Sequence, residues 1–300
     1  MLPGVTPVVY INGAFVPETE ALIRVDDGGW LHGAGLFETM RAENGRVFRF
    51  DAHVRRLIRS AERVLRPIER SMLPTEGAIG ELLERNRLHT ARVRMTATAG
   101  SVRGDPSATE FPPLSVCVSA LPLTAYPTES YERGVQAVIC DYRVSPSDPV
   151  AGHKTTSYLP RLLGLRRAQM VGAAEAIWFT TQNHLAEGCI SNVFVVSDGV
   201  LRTAPLETPV LAGIARAVVF ELARANGIKA REEVLTINDL LDAQEVLLTN
   251  SIMQVMPVVR VEKRDIGDGH VGPMAKRLLL HYRELVQKES DLQPHGPVEN

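Results

Sequence analysis

The sequence predicts an α/β or α+β protein of two domains. Its 300 residues are 45% apolar and 23% charged, which is typical of soluble proteins with a sizeable core. A chain of this length forms one large or two medium domains. The stretch Pro122–Ser130 has two prolines and few apolar residues, so we place a linker at 122–134, between domains of residues 1–121 and 135–286. The polar residues 287–300 are predicted to form a mobile tail.

In the first half, the hydrophobic pattern predicts a hairpin, two helices and two strands. Asn12-Gly13 separates two short apolar runs, as in a tight hairpin turn. Asp51 is the expected N-cap of a helix that reaches Leu65, because apolar residues recur there at helical spacing. The glycines around Gly33 indicate a backbone that bends or approaches another segment closely. The remaining predictions are a helix at 76–88 and strands at 92–98 and 114–121.

The second half alternates strands and helices more regularly. A helix is predicted to begin near Pro160, since proline is tolerated in a first turn. Another covers Gly213–Ala225 and ends at the C-capping pair Asn226-Gly227, and a last helix is predicted at Pro273–Val286. Strands are predicted at 135–140, 175–180, 192–196, 200–202, 246–249 and 254–261.

Composition and charge exclude several classes of protein. A formal net charge of −2 gives no electrostatic reason to expect nucleic acid or an anionic membrane as a partner. The longest apolar runs, such as residues 193–196, are too short to cross a bilayer, and the first residues contain no secretion signal. Cys117, Cys140 and Cys189 are scattered, as is typical of reduced, buried thiols. We therefore expect a cytoplasmic protein without a metal site.

Lysine usage singles out one position. Of 33 basic residues only five are lysines, and Lys154 is the first of them along the chain. Its neighbours are small and hydroxylated, whereas the other four lysines lie beside turns or charges. An amine can deprotonate and attack a carbonyl, which a guanidinium cannot. Lys154 is therefore a candidate nucleophile, with a loop lysine paired to a carboxylate as the alternative.

Glu187 and three further segments offer groups for a charged heterocycle and its phosphate. Glu187 stands before an apolar strand, where a buried carboxylate needs a cation or a donor, such as a protonated ring nitrogen. A helix that begins at Gly213 has free N–H groups that can hold a phosphate. Arg56, Asn250 and Ser251 are further donors. Each feature also has a purely structural interpretation, as a turn glutamate, a common helix start or a solvated face.

Together, an amine, a carboxylate and phosphate donors are the groups that pyridoxal phosphate (PLP) requires. The chain resembles the class IV aminotransferases, which are fold-type IV PLP enzymes, over most of its length. The matching stretches follow the family's order and are Asp26–Arg41, His53–Leu57, Lys154 with its helix, Glu187–Phe194, Leu211–Arg216 and Thr249–Val258. The resemblance implies a smaller N-terminal α/β domain and a larger β-rich C-terminal domain, with PLP between them.

The resemblance also implies roles for individual residues. Lys154 corresponds to the Schiff-base lysine that moves the proton between substrate and cofactor, and Glu187 to the carboxylate that keeps the ring nitrogen protonated. Leu211 corresponds to a residue packed on one ring face. Tyr158 resembles a tyrosine that bonds the phenolic oxygen, although it follows the lysine one residue sooner here. The phosphate cup corresponds to Arg56, the amides of Ile214 and Ala215, and Ser251, with Asn250 alongside.

Other positions are implied to contact the substrate. The main-chain amides of Ile252 and Met253 correspond to those that bind a substrate carboxylate. Trp30 and His32 are expected to line the substrate pocket, with a core position as the alternative for Trp30. Arg103 stands where the D-amino-acid enzymes have an Arg-x-His carboxylate trap, but no histidine follows two residues later. The resemblance further implies a homodimer in which a neighbour's loop completes each site.

Three functions fit these residues. The first is an aminotransferase, of branched-chain or D-amino-acid type, that moves an amino group from an amino acid or amine to a 2-oxo acid through a lysine aldimine and a pyridoxamine phosphate intermediate. The second is 4-amino-4-deoxychorismate lyase, which eliminates pyruvate to give 4-aminobenzoate. Residues 249–258 and 101–104 resemble the lyases most, whereas Phe37-Glu38-Thr39 is typical of aminotransferases and residues 153–158 depart from the lyase pattern. The third is a non-catalytic PLP-binding protein.

Overall fold

The computed structural model describes residues 6–103 and 111–291 and confirms the predicted mixture of helices and strands. Within these ranges the strands form two sheets, one of six strands and one of nine. The six-stranded sheet is built from residues 8–122 and the nine-stranded sheet from residues 135–265. Each sheet therefore uses a continuous part of the chain. The exact domain boundaries given above stay a prediction.

The first sheet is antiparallel and covered by helices on one face. Its strand order is β2-β1-β6-β5-β3-β4. The elements are β1 (Val8–Ile11), β2 (Ala14–Pro17), α1 (Gly28–His32), β3 (Gly35–Glu43), β4 (Arg46–Val47), α2 (Phe50–Val64), α3 (Glu76–Arg85), β5 (Ala91–Thr98) and β6 (Ser115–Pro122). The hairpin turn predicted between β1 and β2 is present, with positive φ angles at both Asn12 and Gly13, as a two-residue hairpin loop requires.

Alternation along β5 separates the core face of this sheet from its polar face. Val93, Met95 and Ala97 are fully buried in one hydrophobic core with residues of α2 and α3. The intervening Arg92 and Arg94 lie on the opposite face, since successive side chains of a strand point to opposite sides. That polar face borders the cavity described below.

The second sheet is mixed and is covered on both faces. Its path is β12-β11-β10-β13-β14-β7-β8-β9, with β15 paired to β14. The elements are α4 (Thr128–Glu132), β7 (Val135–Val144), α5 (Leu159–Met170), β8 (Glu175–Thr180), β9 (Leu185–Gly188), β10 (Asn192–Ser197), β11 (Val200–Thr203), α6 (Ile214–Ala225), β12 (Ala230–Glu232), α7 (Ile237–Leu241), β13 (Glu245–Asn250), β14 (Gln254–Val261), β15 (Arg264–Asp265) and α8 (Pro273–Asp291). Strands such as β8 are buried along their whole length, which explains their continuous apolar runs.

Several predicted boundaries need correction. The N-cap of α2 is Arg49, with left-handed backbone angles, and Asp51 lies inside the first turn, where its charge favours the helix dipole. Helix α8 continues to Asp291, beyond the predicted end at Val286, and Ser290 is buried. Residues 292–300 lie outside the described ranges. The predicted linker contains the short helix α4. Among the described helices, none is long and apolar enough to cross a membrane.

Candidate active site

A cavity of about 500 Å³ lies where the two sheets face each other. The first sheet and α2 contribute Phe37, Thr39, Arg56, Arg92 and Arg94 to its wall. Many residues predicted from sequence also line it: Lys154, Tyr158, Glu187, Leu211, Gly213, Ile214, Ala215, Asn250, Ser251 and Ile252. The fold therefore brings together groups that are widely separated in the chain.

The loop that carries Lys154 is tied to strand β3. Phe37 N donates to the carbonyl of Lys154 at 2.9 Å, and Thr156 N donates to the carbonyl of Gly35 at 2.8 Å. A Cβ atom at Gly33 would lie 2.4 Å from Ser157 Oγ. Because only glycine permits this approach, the glycine-rich segment predicted to come close to another part of the chain is explained by the lysine loop.

The amine of Lys154 lies in apolar, cationic surroundings. Its Nζ is 4.2 Å from the ring centroid of Phe37 and 5.5 Å from that of Tyr158. Burial, followed by the positive charge of Arg56, lowers the pKa of Lys154 to about 7, because both disfavour the ammonium form. At neutral pH a large fraction of the side chain is therefore a neutral amine, which is the nucleophilic form.

Glu187 is buried at another wall of the cavity, at the end of β9. Its Oε1 accepts a hydrogen bond from Arg161 Nη2 at 2.5 Å. Its Oε2 accepts from Leu211 N at 2.9 Å and from Asn192 Nδ2 at 3.3 Å. An ionised carboxylate has about four acceptor positions, so these three donors leave one position for a protonated ring nitrogen.

A second buried glutamate, Glu175 on β8, holds the turn that follows Glu187. Its Oε1 accepts from Cys189 N at 2.9 Å, and its Oε2 accepts from Ser191 Oγ at 2.7 Å and Ile190 N at 3.2 Å. A Cβ atom at Gly188 would lie 2.7 Å from Glu175 Oε2. Glycine at position 188 is thus needed for Glu175 to reach the turn.

The N-terminus of helix α6 opens onto the cavity. Gly213 is its N-cap, without a side-chain cap, so the first N–H groups are available to an anion. A Cβ atom at Gly213 would lie 2.0 Å from Asn192 Oδ1, which explains the glycine. Arg56 Nη1 donates to the carbonyl of Ala212 at 3.1 Å, and Ser251 also lines the cavity. The residues predicted to form a phosphate cup thus come together from α2, α6 and the end of β13.

Arg56 is held by a buried carboxylate that the sequence did not single out as a site residue. Its Nε and Nη2 donate to Glu38 at 2.8 and 2.5 Å, and His53 Nδ1 lies 2.7 Å from Glu38 Oε2. Burial raises the pKa of Glu38, but the charge of Arg56 and the His53 hydrogen bond outweigh it and bring that pKa to about 2. Burial lowers the pKa of His53.

Tyr158 lines the cavity, but its hydroxyl group donates a hydrogen bond to the protein backbone. The hydroxyl donates to the carbonyl of Cys189 at 2.6 Å, and burial raises its pKa, so it remains a neutral donor. The resemblance implied a donation from this hydroxyl to a cofactor phenolic oxygen, whereas the structure shows it donating to the protein backbone. The lysine–tyrosine spacing, one residue shorter here, accompanies this difference.

Several predicted substrate residues are placed differently from the prediction. Trp30 on α1 is 74% exposed, so it lies neither in the core nor in the cavity of its own chain, and His32 is also exposed. Arg103 is exposed at the edge of the described range, and residue 104 lies outside it. The amides of Ile252 and Met253 both donate to Asn250 Oδ1, at 2.9 and 2.8 Å, and therefore do not point to a substrate carboxylate.

The structure adds cavity residues that the sequence analysis missed. Arg94 lies over the Phe37 ring, 3.8 Å from its centroid, and Arg92 lines the cavity from the same face of β5. Tyr126, within the predicted linker, and Arg161 also line the cavity. Strand alternation between apolar residues and arginines on β5 is a signal that could have identified Arg92 and Arg94. Among the described residues, no group of three histidine, cysteine or acidic side chains is arranged for a metal ion.

A buried amine, a helix N-terminus with free N–H groups and a buried carboxylate in one cavity are the groups expected of a PLP-type site. The family model of class IV amino-transferases matches residues 35–261, and the chain belongs to this family. The family uses PLP, and the residues present fit it: the α6 cradle suits a phosphate, and Glu187 has an acceptor position for a ring nitrogen.

Individual relatives agree with this assignment. The chain is 33% identical over 283 residues to the "Putative branched-chain-amino-acid aminotransferase" of Methanocaldococcus jannaschii, a match that covers 93% of this chain and 96% of the relative. It is 30% identical to the D-alanine aminotransferase of Staphylococcus epidermidis, over 94% and 99% of the two chains. The crystal structure of the branched-chain amino acid aminotransferase of Escherichia coli has a TM-score of 0.83 and 28% identity, over 97% and 98% of the two chains.

Proposed function

We propose that the protein is an aminotransferase that transfers an amino group from an amino acid or amine to a 2-oxo acid, with PLP as its cofactor. The observation that carries the proposal is that one cavity brings together the buried amine of Lys154, the carboxylate of Glu187 and the N-terminus of α6, and the pKa of Lys154, lowered by burial to about 7, supports it. A lysine whose amine is half-deprotonated at neutral pH can accept and return a proton during each half-reaction.

Each group contributes one task to this reaction. When bound, PLP supplies a carbonyl for amines and an electron sink for the charge that develops at the substrate carbon. Lys154 would hold PLP through its amine and would move the proton at the substrate carbon. Glu187 would accept the hydrogen bond of the ring nitrogen and keep that nitrogen protonated. Arg56, Ser251 and the first amides of α6 hold the phosphate, so that the lysine is free to move.

Arg92 and Arg94 are the groups we assign to a substrate carboxylate. Two other arginines of the cavity are already neutralised, Arg56 by Glu38 and Arg161 by Glu187. Within residues 6–103 and 111–291, no carboxylate forms an ion pair with Arg92 or Arg94, although both line the cavity. Paired guanidinium groups of this kind suit a carboxylate geometrically and electrostatically. This assignment replaces the role predicted for the Ile252 and Met253 amides.

We also propose a homodimer that forms beside the cavity mouth. Trp30 and Leu31 of α1 are exposed, as are Leu159 and Leu162 of α5. The two helices are adjacent, because Ser157 Oγ donates to the carbonyl of Gly33 at 3.4 Å, and Leu162 itself lines the cavity. A large exposed apolar surface of this type marks a protein interface. In the dimer, a neighbour's loop completes each site.

The proposed function is tested by replacing the lysine. The variant Lys154→Ala is expected to lose all detectable amino transfer from D- and L-amino acids to a 2-oxo acid, measured as keto-acid product. The exposed Lys229 provides a matched control, and Lys229→Ala is expected to keep wild-type activity. Turnover that survives in Lys154→Ala contradicts the mechanism. Formation of 4-aminobenzoate from aminodeoxychorismate, without amino transfer by the wild type, establishes the lyase instead.

A further inference from the structure

The guanidinium of Arg161, on α5, donates hydrogen bonds to two consecutive residues of β9. Its Nη2 donates to Glu187 Oε1 at 2.5 Å, and its Nη1 donates to the carbonyl of Gly188 at 2.8 Å. The guanidinium also lies over Trp178, 5.3 Å from the ring centroid. Three contacts on different sides fix the position of this cation, so the Glu187 carboxylate faces a rigid donor.

The two oxygens of Glu187 are supported by different parts of the protein. Leu211 N and Asn192 Nδ2 both donate to Oε2. Among the described residues, Arg161 is the hydrogen-bond donor to Oε1. Because two contact points fix the plane of a carboxylate, removing Arg161 frees that plane to turn about the remaining contacts. The direction of the open acceptor position thus depends on Arg161.

The ion pair between Arg161 and Glu187 is also largely buried, so its two charges are poorly screened by water. The side chain of Glu187 is 5% exposed and that of Arg161 is 20% exposed. Charges in such surroundings interact more strongly than at the surface. The attraction of Glu187 outweighs the burial of Arg161 and raises the pKa of its guanidinium, which therefore stays positive throughout the working pH range.

We infer that Arg161 is a positioning residue, which orients Glu187 toward the bound ring nitrogen and weakens the hold of that carboxylate on the nitrogen's proton. The inference rests on the proposed function, because the ring nitrogen is that of PLP. A guanidinium that shares the carboxylate withdraws negative charge from it, and a carboxylate weakened in this way holds the proton of the bound chromophore less strongly.

The test measures the pH dependence of visible absorbance in the holoprotein. Arg161→Gln removes the charge and keeps a polar side chain, so we expect the midpoint of the absorbance titration to rise by about one pH unit. The dissociation constant of PLP, measured by titrating the apoprotein, is expected to increase about tenfold. Arg161→Lys keeps the charge and should leave the midpoint close to wild type. Arg166→Gln, on the exposed side of α5, is the control and should change neither value.

A double variant shows whether the midpoint shift of Arg161→Gln acts through Glu187 or comes from a general loss of structure. In the Glu187→Gln background, the further change Arg161→Gln should no longer shift the midpoint, because the carboxylate through which it acts is gone. An unchanged midpoint in Arg161→Gln, or the same shift in both backgrounds, overturns the inference. If Arg161→Gln does not fold, the midpoint of Arg161→Lys decides, and a large shift there is contrary to the inference. A wild-type protein that develops no visible band with PLP refutes the proposed function itself.

Discussion

Two buried glutamates, one on each sheet, differ in the kind of group that surrounds them. Glu38 on β3 is 1% exposed and Glu175 on β8 is 0% exposed. Glu38 faces the cation Arg56 and the ring of His53, whereas Glu175 is surrounded by backbone amides and the hydroxyl of Ser191. The pKa of Glu38 is lowered to about 2, mainly because the charge of Arg56 outweighs burial, and the pKa of Glu175 is raised by its burial.

The difference shows that a cationic partner decides whether the pKa of a buried carboxylate is lowered or raised here. Glu175 has four hydrogen-bond donors, yet burial still outweighs them. At Glu38 the ion pair does more than offset burial, and it also fixes the arginine that faces the phosphate cup. The first sheet thus supplies an ion pair that anchors the cofactor site, while the second supplies a carboxylate that holds the turn after Glu187 through amides and a hydroxyl.

The largest expected effect comes from breaking the charged pair. Glu38→Gln leaves Arg56 buried without its counter-charge, which costs about 3–5 kcal/mol. We expect that loss in the free energy of unfolding, measured by urea denaturation at pH 7. Weaker PLP retention should accompany it, because Arg56 loses its counter-charge and one of its two hydrogen bonds to residue 38.

An exposed ion pair is the matched control for this change. Glu81 and Arg85 on α3 form an i,i+4 pair with both side chains about half exposed, and such pairs contribute about 0.3–0.5 kcal/mol. Glu81→Gln should therefore change the unfolding free energy by less than about 0.5 kcal/mol. If both variants lost the same unfolding free energy, burial of the Glu38–Arg56 pair would not increase its contribution to stability.

A smaller effect is expected in the pH dependence of stability. The pKa of Glu38 falls from an ordinary value of 4.5 to about 2 on folding, so its contribution is complete above about pH 5 and is lost as pH falls toward 2. Between pH 7 and pH 4 the wild type should lose about 1 kcal/mol of this contribution. The stability deficit of Glu38→Gln should narrow by that amount. A deficit that is the same at both pH values argues against an ionised Glu38.

The sequence predicted the local features of the site and missed those that depend on distant partners. Lys154, Glu187 and the helix start at Gly213 are recognisable because each is set by its immediate neighbours, and the structure brings them to one cavity. The partnership of Arg161 with Glu187 joins α5 to β9, and no local pattern reports it. Trp30 is exposed and does not line the cavity of its own chain, because its exposure depends on how α1 packs, which residue type does not determine.

The smallest expected effect is that of neutralising Glu175. Glu175→Gln replaces an acceptor oxygen with an amide donor, which loses about one hydrogen bond, on the order of 1 kcal/mol. The substitution also removes the cost of burying a charge that has no cationic partner. These terms oppose each other, so the unfolding free energy at pH 7 should stay within about 1 kcal/mol of wild type.

The pH trend of Glu175→Gln should have the opposite sign to that of Glu38→Gln. Burial raises the folded-state pKa of Glu175, so ionisation of this carboxyl lowers the unfolding free energy at high pH. The wild-type protein regains that free energy as pH falls through the raised pKa. The stability of Glu175→Gln relative to wild type should therefore decrease between pH 7 and pH 4, while that of Glu38→Gln increases. Trends of the same sign in both variants would show that the cation beside Glu38 does not distinguish the two carboxylates.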